Sequence, residues 1–455
     1  ENLEERVGKI LQKSSLIGHA SVATTPSLCL NYEGSKFLDS ALTGIVFSSS
    51  LVSSGRRTKT SEKDIVYPNR IFKNKKARKI YQAISERIIK FFNFLLSQGI
   101  QKDEASKILQ YGIYSTGIIQ LPIETIIGLK REWISEKEWM PEEIGLLSKK
   151  IEKEAKKMGV DLLYATREAA PRNVYPYPNI FKNPKNQNLV RGLRSTEKLI
   201  DGSKLISIDV AIPQTLEKKL ANLEKKRKAT FSSLKQIKKE WMNLLSSLQE
   251  IFRDYNLALK IKVLSSIPWR VWGEKKRQAT FSSLKQIKKE WMNLLSSLQE
   301  IFRDYNLALK IKVLSSIPWR VWGEKKRHRT CPQIVESIYY CIERTAKQFK
   351  KFQKQIKQNK ISKGLVKGIE EGFSIPPSVK QNKKLLLEYL STALVALEGY
   401  QNLIDLKIKP REAIFLIPRA VKIDILQEYD LYNLLTGYYP LRLCPTAEEE
   451  MRRNT

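Results

Sequence analysis

The sequence has little with which to bind a metal ion or to form disulfides. Its 455 residues include 4 cysteines and 2 histidines, and the cysteines form neither a Cys-x-x-Cys pair nor a zinc-binding spacing. They lie far apart, at Cys29, Cys331, Cys341 and Cys444. Scattered thiols are typical of a reducing compartment, so we predict a cytoplasmic protein with no metal site.

Long apolar runs are also missing. No run approaches the ~20 residues that a membrane-spanning helix requires, and no signal-peptide pattern opens the chain. We therefore expect no membrane association. The chain begins at Glu1 rather than at a methionine and stops at Thr455, and these ends favour a fragment of a longer protein.

Acidic residues are few beside basic ones. Lys and Arg total 81 against 47 Asp and Glu, for a formal net charge of +34. A charge of this size favours anionic partners such as nucleotides or nucleic acid, although a composition bias that only coats the surface gives the same total. The 42% of hydrophobic residues argues against a disordered chain, and the length allows two or three domains.

Apolar periodicity predicts the main helices and strands. Apolar residues recur at three- and four-residue spacing over 81–96, 338–356 and 385–403, which indicates three long helices. Alternating apolar residues predict short strands over 206–212 and 309–314.

One stretch, Arg327 to Ser337, has the residues for binding phosphate. If Arg327 and Arg329 lie on a strand, their side chains share a face, since alternate residues do. The pattern Thr330-x-x-Gln333 is typical of a capping box at the start of a helix, where exposed N–H groups attract anions. Arginine suits phosphate because its planar guanidinium group donates hydrogen bonds in pairs. On this chemistry alone, a solvated basic turn fits slightly better.

The same stretch resembles the signature of the flavin-dependent thymidylate synthases, the ThyX type. That signature is Arg-His-Arg, seven residues and then a serine, which matches Arg327-His328-Arg329 and Ser337. The run from Trp319 to Trp322 just before it resembles the family's approach strand. The ending resembles the family's closing motif in Leu441-Arg442 and in the run from Ala447 to Arg452.

The resemblance implies an α/β (α+β) domain, in which an antiparallel sheet is flanked by long helices, and a homo-oligomer. It also implies FAD as cofactor, NADPH and 5,10-methylenetetrahydrofolate as cosubstrates, and dUMP as the substrate that is converted to dTMP. A role in flavin binding is implied for Arg327, His328 and Arg329. A role in substrate binding is implied for Glu336, Ser337 and Arg442, and Arg442 is also the implied catalytic residue.

The motifs depart from the family pattern at several positions. The differing residues are Glu324, Glu336, Tyr339, Ile414 and Glu448. These changes fit a divergent branch with the same reaction, altered substrate use, or an inactive paralogue. The rival hypothesis is therefore a catalytically inactive ThyX-like protein that binds nucleic acid non-specifically through its positive charge.

The first part of the chain resembles a decayed copy of the same family. His19 fits the first histidine of a Gly-His-x-x-x-x-Glu-His element, but Thr24-Thr25 stands where the Glu-His pair would be. Aligned on Arg57-Thr58, this copy lacks the first arginine, the histidine and the serine. A faint similarity between residues 100–109 and 408–417 supports two copies in tandem. We predict a degenerate ThyX-like domain at 1–165 that binds no flavin on its own.

The rest of the chain divides into two predicted parts. A Pro/Tyr-rich extended connection at 166–225 either stacks nucleic-acid bases on its aromatic rings or packs on the domain. A ThyX-like catalytic domain at 226–455 contains the same fifty residues twice, at 224–273 and 274–323, with one difference, at Lys228 of the first copy. Because functional repeats diverge, this near-identity indicates a very recent duplication or an error of sequence assembly.

Overall fold

The computed structural model describes part of the chain. The described residues are 2–14, 16, 21–45, 47–53, 60–161, 164–165, 167, 179–185, 189–199, 202–210, 309–430, 438, 442 and 448–454. Outside these residues lie the part of the duplication at 224–308, His19, Arg57-Thr58, Leu441 and Ala447, and more than half of the Pro/Tyr-rich connection.

The helices and strands of the N-terminal part have these bounds: α1 Leu3–Ser14, α2 Ser21–Thr24, β1 Ser27–Ser35, α3 Lys36–Leu42, β2 Ser49–Val52, α4 Asn69–Lys73, α5 Lys75–Ser97, α6 Lys102–Ala105, β3 Tyr114–Pro122, α7 Ile123–Ser135, α8 Glu142–Lys157, α9 Leu189–Thr196 and β4 Ser203–Val210. The C-terminal part has β5 Leu309–Pro318, α10 Trp319–Lys325, β6 Gln333–Val335, α11 Ile338–Lys357, α12 Lys363–Glu370, α13 Pro377–Lys380, α14 Lys383–Asp405, α15 Pro410–Ala413, β7 Lys422–Asp430 and α16 Glu449–Asn454.

The fold combines helices with antiparallel strands, which confirms the predicted α/β class. One sheet has the order β1-β3-β2, and the other has the order β4-β5-β7-β6. The predicted long helices correspond to α5, α11 and α14, and the predicted strands to β4 and β5. Among the described helices, none is both long and apolar enough to span a membrane.

The chain divides into two compact units. The first unit comprises residues 1–196, 316–329 and 334–425, and the second comprises 197–315, 330–333 and 426–455. The domain boundaries at 1–165, 166–225 and 226–455 stay a prediction, and so does the tandem of two ThyX-like domains.

The chain contains the same run of elements twice. Helices α5 and α14 are both 23 residues long, and they begin 308 positions apart (383 − 75). The short helices α6 and α15 that follow them keep this spacing, and so do the starts of β3 and β7 (422 − 114). The sheet orders β1-β3-β2 and β5-β7-β6 also match, so the chain follows one path two times. We call the two runs the N-terminal copy, residues 27–122, and the C-terminal copy, residues 309–430.

Individual hydrogen bonds repeat with the elements. The Tyr81 hydroxyl donates to the Val66 carbonyl oxygen at 2.8 Å. The Tyr389 hydroxyl donates to the Ser374 carbonyl oxygen at 3.2 Å. Both pairs are related by the same 308 positions (389 − 81 and 374 − 66). This agreement extends the repeat from the order of elements to single contacts in the core.

Helices α5 and α14 pack against each other within the first unit. The rings of Phe91 and Tyr389 lie 6.3 Å apart, edge to face, which is a favourable aromatic geometry. A Cβ at Gly399 would collide with the Ile84 side chain, so glycine lets the two helices approach closely. Beyond the helix ends, Gln110 and Pro418, equivalent positions of the two copies, form an antiparallel bridge.

Each copy carries the same cap at the start of its long helix. The Asn74 side chain accepts hydrogen bonds from the first amides of α5 at 3.1 Å. The Asn382 side chain does so for α14 at 3.0 and 3.1 Å. Asparagine is a preferred N-cap residue because its side chain satisfies amides that have no partner inside the helix.

The second unit is described by its strands and a short loop. Strands β4 and β5 pair antiparallel, with an irregularity between Leu205 and Ser207. The Glu428 amide donates to the Pro332 carbonyl oxygen at 3.0 Å, and the Cys331 thiol donates to the Glu428 carbonyl oxygen at 3.2 Å. These bonds fix the loop at 330–333 against the end of β7.

Two local predictions are wrong. The run from Trp319 to Trp322 is helical rather than a strand, because Pro318 ends β5 and α10 begins there. As a helix it buries both Trp319 and Trp322 completely, which spacing of three residues allows on one helix face. Thr330-x-x-Gln333 is not a capping box, because Gln333 begins β6 and the next helix begins after Ser337.

We expect Asn74→Ala and Asn382→Ala each to lower the free energy of unfolding by about 1 kcal/mol, since each leaves two amides without their side-chain acceptor. Urea unfolding followed by circular dichroism would measure both. Asn402→Ala is the matched control, because Asn402 is exposed in the last turn of α14 and alanine also favours helix. Loss of stability in only one cap variant would contradict equivalent roles.

Candidate functional site

The Arg-His-Arg motif lies in a turn after α10 and not on a strand, so the strand alternation considered for Arg327 and Arg329 does not apply. Arg327 and Arg329 are exposed and His328 is half-buried. The amides of Arg327 and His328 each donate at 3.2 Å to carbonyl oxygens near the end of α10, those of Glu324 and Lys325. The turn therefore presents two guanidinium groups to solvent from a backbone that the helix end holds in place.

The base of this turn is anchored to the N-terminal copy. The buried Lys326 ammonium group donates to the Ser40 carbonyl oxygen and lies 5.0 Å from the centre of the Trp322 ring. Burial, and then the charge of Arg327, hold the pKa of Lys326 well below its usual value. Arg329, although exposed over much of its surface, donates to the Ser48 carbonyl oxygen, and partial burial of its guanidinium group, followed by the charge of Arg327, lowers its pKa.

Gly44 permits this close approach. A Cβ there would lie 2.7 Å from the Lys326 carbonyl oxygen, and the φ of Gly44 is +84°. Both facts favour glycine, which has no Cβ and adopts positive φ without strain.

Glu336 follows β6 and is almost fully buried, with 2% of its surface exposed. Its amide donates to the Asp424 carbonyl oxygen of β7 at 3.0 Å. Its carboxylate accepts from the Arg344 guanidinium group at 3.2 Å and from the Cys341 thiol at 3.4 Å. Arg344 also donates to the Asp424 carboxylate at 2.6 Å, so one arginine is shared by two buried carboxylates.

The surroundings of Glu336 make it a weak acid. Burial raises its pKa to about 7, the Arg344 charge opposes this, and the Asp424 charge adds to it. One oxygen of each carboxylate, Oε1 of Glu336 and Oδ1 of Asp424, is buried without a hydrogen-bond partner among the described residues. At neutral pH the Glu336 carboxyl group is therefore poised to donate or to accept a proton.

Ser337 joins this cluster to a segment of the chain before α9. Its hydroxyl donates to the Lys182 carbonyl oxygen at 2.6 Å, and the amide of the next residue, Ile338, donates to that of Ile180 at 3.0 Å. Ser337 is the N-cap residue of α11, but its side chain does not cap the helix. The hydroxyl oxygen keeps its capacity to accept a hydrogen bond.

Helix α9 covers the carboxylate pair. The Arg194 guanidinium group lies 3.5 Å from the Asp424 carboxylate. The Arg191 guanidinium group lies over the Tyr340 ring of α11, 4.1 Å from its centre, a cation–π geometry.

Five of the residues predicted for the site belong to the first unit, and Arg442 belongs to the second. Arg442 is helical and half-buried. The roles of Arg327, His328, Arg329, Glu336, Ser337 and Arg442 stay predictions. The described residues contain no group of three or more His, Cys, Asp or Glu side chains that could hold a metal ion.

Sequence reasoning missed Asp424 and Arg344. Asp424 is an acid within the apolar run Ile423 to Leu426 of a buried strand, and a buried acid in such a run is unusual. That signal was available in the sequence. Arg344 gave no such signal, because basic residues are common on the helix that carries it.

Comparisons with known proteins point to one family. Residues 286–455 match the sequence model of the family described as thymidylate synthase complementing protein. The chain is 31% identical to the flavin-dependent thymidylate synthase of Pyrococcus furiosus over 84 residues, which are 18% of this chain and 34% of that protein. It is 33% identical to that of Pyrococcus horikoshii over 84 residues, again 18% and 34%. It thus spans about a third of the length of these curated relatives.

A solved structure also matches in part. The flavin-dependent thymidylate synthase ThyX of Helicobacter pylori, complexed with FAD and dUMP, matches with a TM-score of 0.25 at 16% identity, covering 35% of this chain and 73% of that one. The family-model match over 286–455 contains both the Arg-His-Arg motif and the closing motif. Residues 286–455 are therefore similar in sequence to the flavin-dependent thymidylate synthase (ThyX) family.

The raised pKa of Glu336 predicts how pH changes stability. An unfolded glutamate ionises near pH 4.5, whereas Glu336 does so at about 7, so the folded state holds the extra proton between these values. The stability that this proton contributes is present below pH 4.5 and is lost as pH rises through 7. Glu336→Gln should therefore gain stability relative to the wild type by on the order of 2 kcal/mol between about pH 5 and about pH 8.

Thermal unfolding of both proteins across this pH range would measure the difference. Glu398→Gln is the control, because Glu398 is a more exposed carboxylate that pairs with Lys357 of α11. A difference that stays constant with pH would contradict the raised pKa.

Proposed function

We propose that this protein is a flavin-dependent thymidylate synthase, which converts dUMP to dTMP by reductive methylation with methylenetetrahydrofolate and NADPH. The observation that carries the proposal is the family match over 286–455, which contains the Arg-His-Arg turn and the serine at their family spacing. The proposal extends to this chain the FAD and dUMP that occur in the Helicobacter pylori protein.

The Arg-His-Arg turn fits a flavin nucleotide. Arg327 and Arg329 are exposed, and their guanidinium groups can each donate hydrogen bonds in pairs to a pyrophosphate. In the proposal Arg327, His328 and Arg329 hold FAD, which when bound supplies the hydride for the reaction. The anchors at Lys326 and Arg329 keep the turn in place, so less order has to be gained when the nucleotide binds.

Glu336, Ser337 and Arg442 are assigned to dUMP. A carboxyl group with a pKa of about 7 can act either as donor or as acceptor toward the uracil edge at neutral pH. The Ser337 hydroxyl oxygen can accept one further hydrogen bond. Arg442 is assigned to orienting and polarising dUMP, and is the proposed catalytic residue.

The N-terminal copy is proposed to serve as scaffold rather than as a second site. Helices α3 and α10 are both seven residues long and begin 283 positions apart (319 − 36). This spacing makes Gly44 and Ile45, rather than Gly55 and Arg56 of the alignment on Arg57-Thr58, the equivalents of Arg327 and His328, so the copy lacks their cations. The loss supports the proposal that this copy binds no flavin on its own.

A homo-oligomer is part of the proposal. The family resemblance implies a tetramer of subunits with one copy each. If the two copies in one chain take the places of two subunits, two chains supply its four copies. Light scattering should therefore give the mass of two chains at micromolar concentration. A monomer at that concentration would contradict this arrangement.

The rival function is non-specific binding of nucleic acid, which the net charge of +34 favours. Such binding weakens steeply with salt, because bound phosphates release counterions. A protein that binds RNA or DNA in this way and binds no flavin would support the rival.

The deciding experiment is dUMP-dependent oxidation of NADPH by the purified protein supplied with FAD. We expect bound flavin absorbance and turnover that requires dUMP. Arg329→Ala should weaken FAD binding by roughly 10- to 100-fold, since a hydrogen bond to a charged group is worth about 1.5–3 kcal/mol.

Arg87→Ala is the matched control, because Arg87 lies on α5, away from the turn, and pairs with Glu388 of α14. It removes the same charge and should leave FAD affinity unchanged. Circular dichroism checks that Arg329→Ala folds, since Arg329 also anchors to Ser48. Absence of flavin absorbance in the wild type after FAD is added would reject the enzyme.

A further inference from the structure

We propose that Asp424 and Arg344 are positioning residues of the substrate site, and that they set the orientation and charge of the Glu336 carboxyl group for the uracil ring of dUMP. This inference rests on the proposed function. It adds two residues to which neither the family signature nor the comparisons assign a role.

The geometry couples the three side chains directly. Nη1 of Arg344 lies 3.2 Å from the Glu336 carboxylate and 2.6 Å from the Asp424 carboxylate. The backbone bond from the Glu336 amide to the Asp424 carbonyl oxygen fixes the same two residues from behind. Glu336 and Asp424 have 2% and 0% of their surface exposed. A change of charge on either carboxylate should therefore change the pKa of the other through the shared arginine.

The N-terminal copy shows that the fold does not require these charges. There the Ser53 amide donates to the Thr116 carbonyl oxygen at 2.9 Å, which is the bond equivalent to that between Glu336 and Asp424 (336 − 53 = 283 and 424 − 116 = 308). The same sheet edge is thus built from two hydroxyl residues in one copy and two carboxylates in the other.

The arginine is also confined to the C-terminal copy. Val335 and Phe373 are 38 positions apart, whereas their counterparts Val52 and Ile65 are 13 positions apart. The shorter connection is too short for a counterpart of the 20-residue helix α11 that carries Arg344. The carboxylate pair and the arginine between them are therefore additions to a sheet that forms without them.

Burying these charged groups lowers the stability of the fold, so we expect them to be retained for a function. A buried polar atom without a hydrogen-bond partner lowers the stability of the fold, and among the described residues neither Glu336 Oε1 nor Asp424 Oδ1 has one. The titratable and charged side chains near the two carboxylates are Cys341, Arg344 and Tyr340 of α11, Arg191 and Arg194 of α9, and Lys182. Two unpaired acceptors beside the residue assigned to dUMP are what a ligand-binding group would leave open.

The shared arginine predicts opposite effects of two substitutions. Asp424→Asn removes a negative charge next to Glu336 and leaves Arg344 to Glu336 alone, so Glu336 becomes a stronger acid. Arg344→Gln removes the positive charge, so Glu336 becomes a weaker acid. We expect the titration midpoint of Glu336 to move by about one pH unit or more in each case, downward in the first and upward in the second.

The first readout does not depend on activity. Carbon-13 NMR of full-length protein labelled at the glutamate carboxyl carbons follows the titration of Glu336, whose signal is assigned by its loss in Glu336→Gln. Glu398→Gln is the control and should leave the midpoint unchanged. Asp424→Thr, which introduces the residue type of Thr116, is a second test of the same charge if Asp424→Asn fails to fold.

The second readout is the affinity of the FAD-loaded protein for dUMP, measured by calorimetry across the same pH range. Its pH midpoint should shift in the same directions as the NMR midpoint. If Asp424→Asn and Arg344→Gln both move the NMR midpoint of Glu336 in the same direction, or if neither moves it, the coupling is overturned. Opposite NMR shifts without any dUMP binding would reject the proposed function and with it the role of the cluster in that site. Opposite NMR shifts with a dUMP midpoint that does not move would overturn the positioning role alone.

Discussion

The contact between the two long helices is the interaction on which the rest of the first unit depends. Helices α5 and α14 come from copies 308 positions apart (383 − 75) and meet where Gly399 leaves room for Ile84. Each helix is followed by a short helix and then by an inner strand of its own sheet. Once the two helices are packed, the strands that follow them have fixed starting points. The carbonyl oxygens of Ser40 and Ser48 in the other copy accept hydrogen bonds from Lys326 and Arg329 and so hold the Arg-His-Arg turn.

The long elements could be predicted from the sequence because one face of each is buried. Helix α14 shows this most clearly, since its leucines recur at helical spacing and most of them are buried. The helix at 319–325 could not be predicted in this way, because tryptophan and valine favour strands in isolation. Tertiary burial of Trp319 and Trp322 on one face decided the matter, and seven residues are too few for periodicity to show.

The candidate site was predictable only where a motif is contiguous. Arg327, His328, Arg329 and Ser337 stand at a recognisable spacing, so their positions could be found, although the local structure around them was predicted wrongly. Arg344 and Asp424 are 80 positions apart and meet through a side-chain hydrogen bond. No local pattern encodes such a meeting, since it arises from the pairing of β6 with β7 and from the direction of α11.

Two unequal copies in one chain have an evolutionary consequence. In an assembly of identical subunits, a substitution appears in every subunit at once, so no subunit can lose its site while another keeps it. Here Ser53 and Glu336 occupy equivalent positions but are encoded separately, so each can change without the other. One copy can therefore be selected for packing alone while the other is selected for chemistry. Two copies with the same path of the chain can therefore differ in the side chains that carry function.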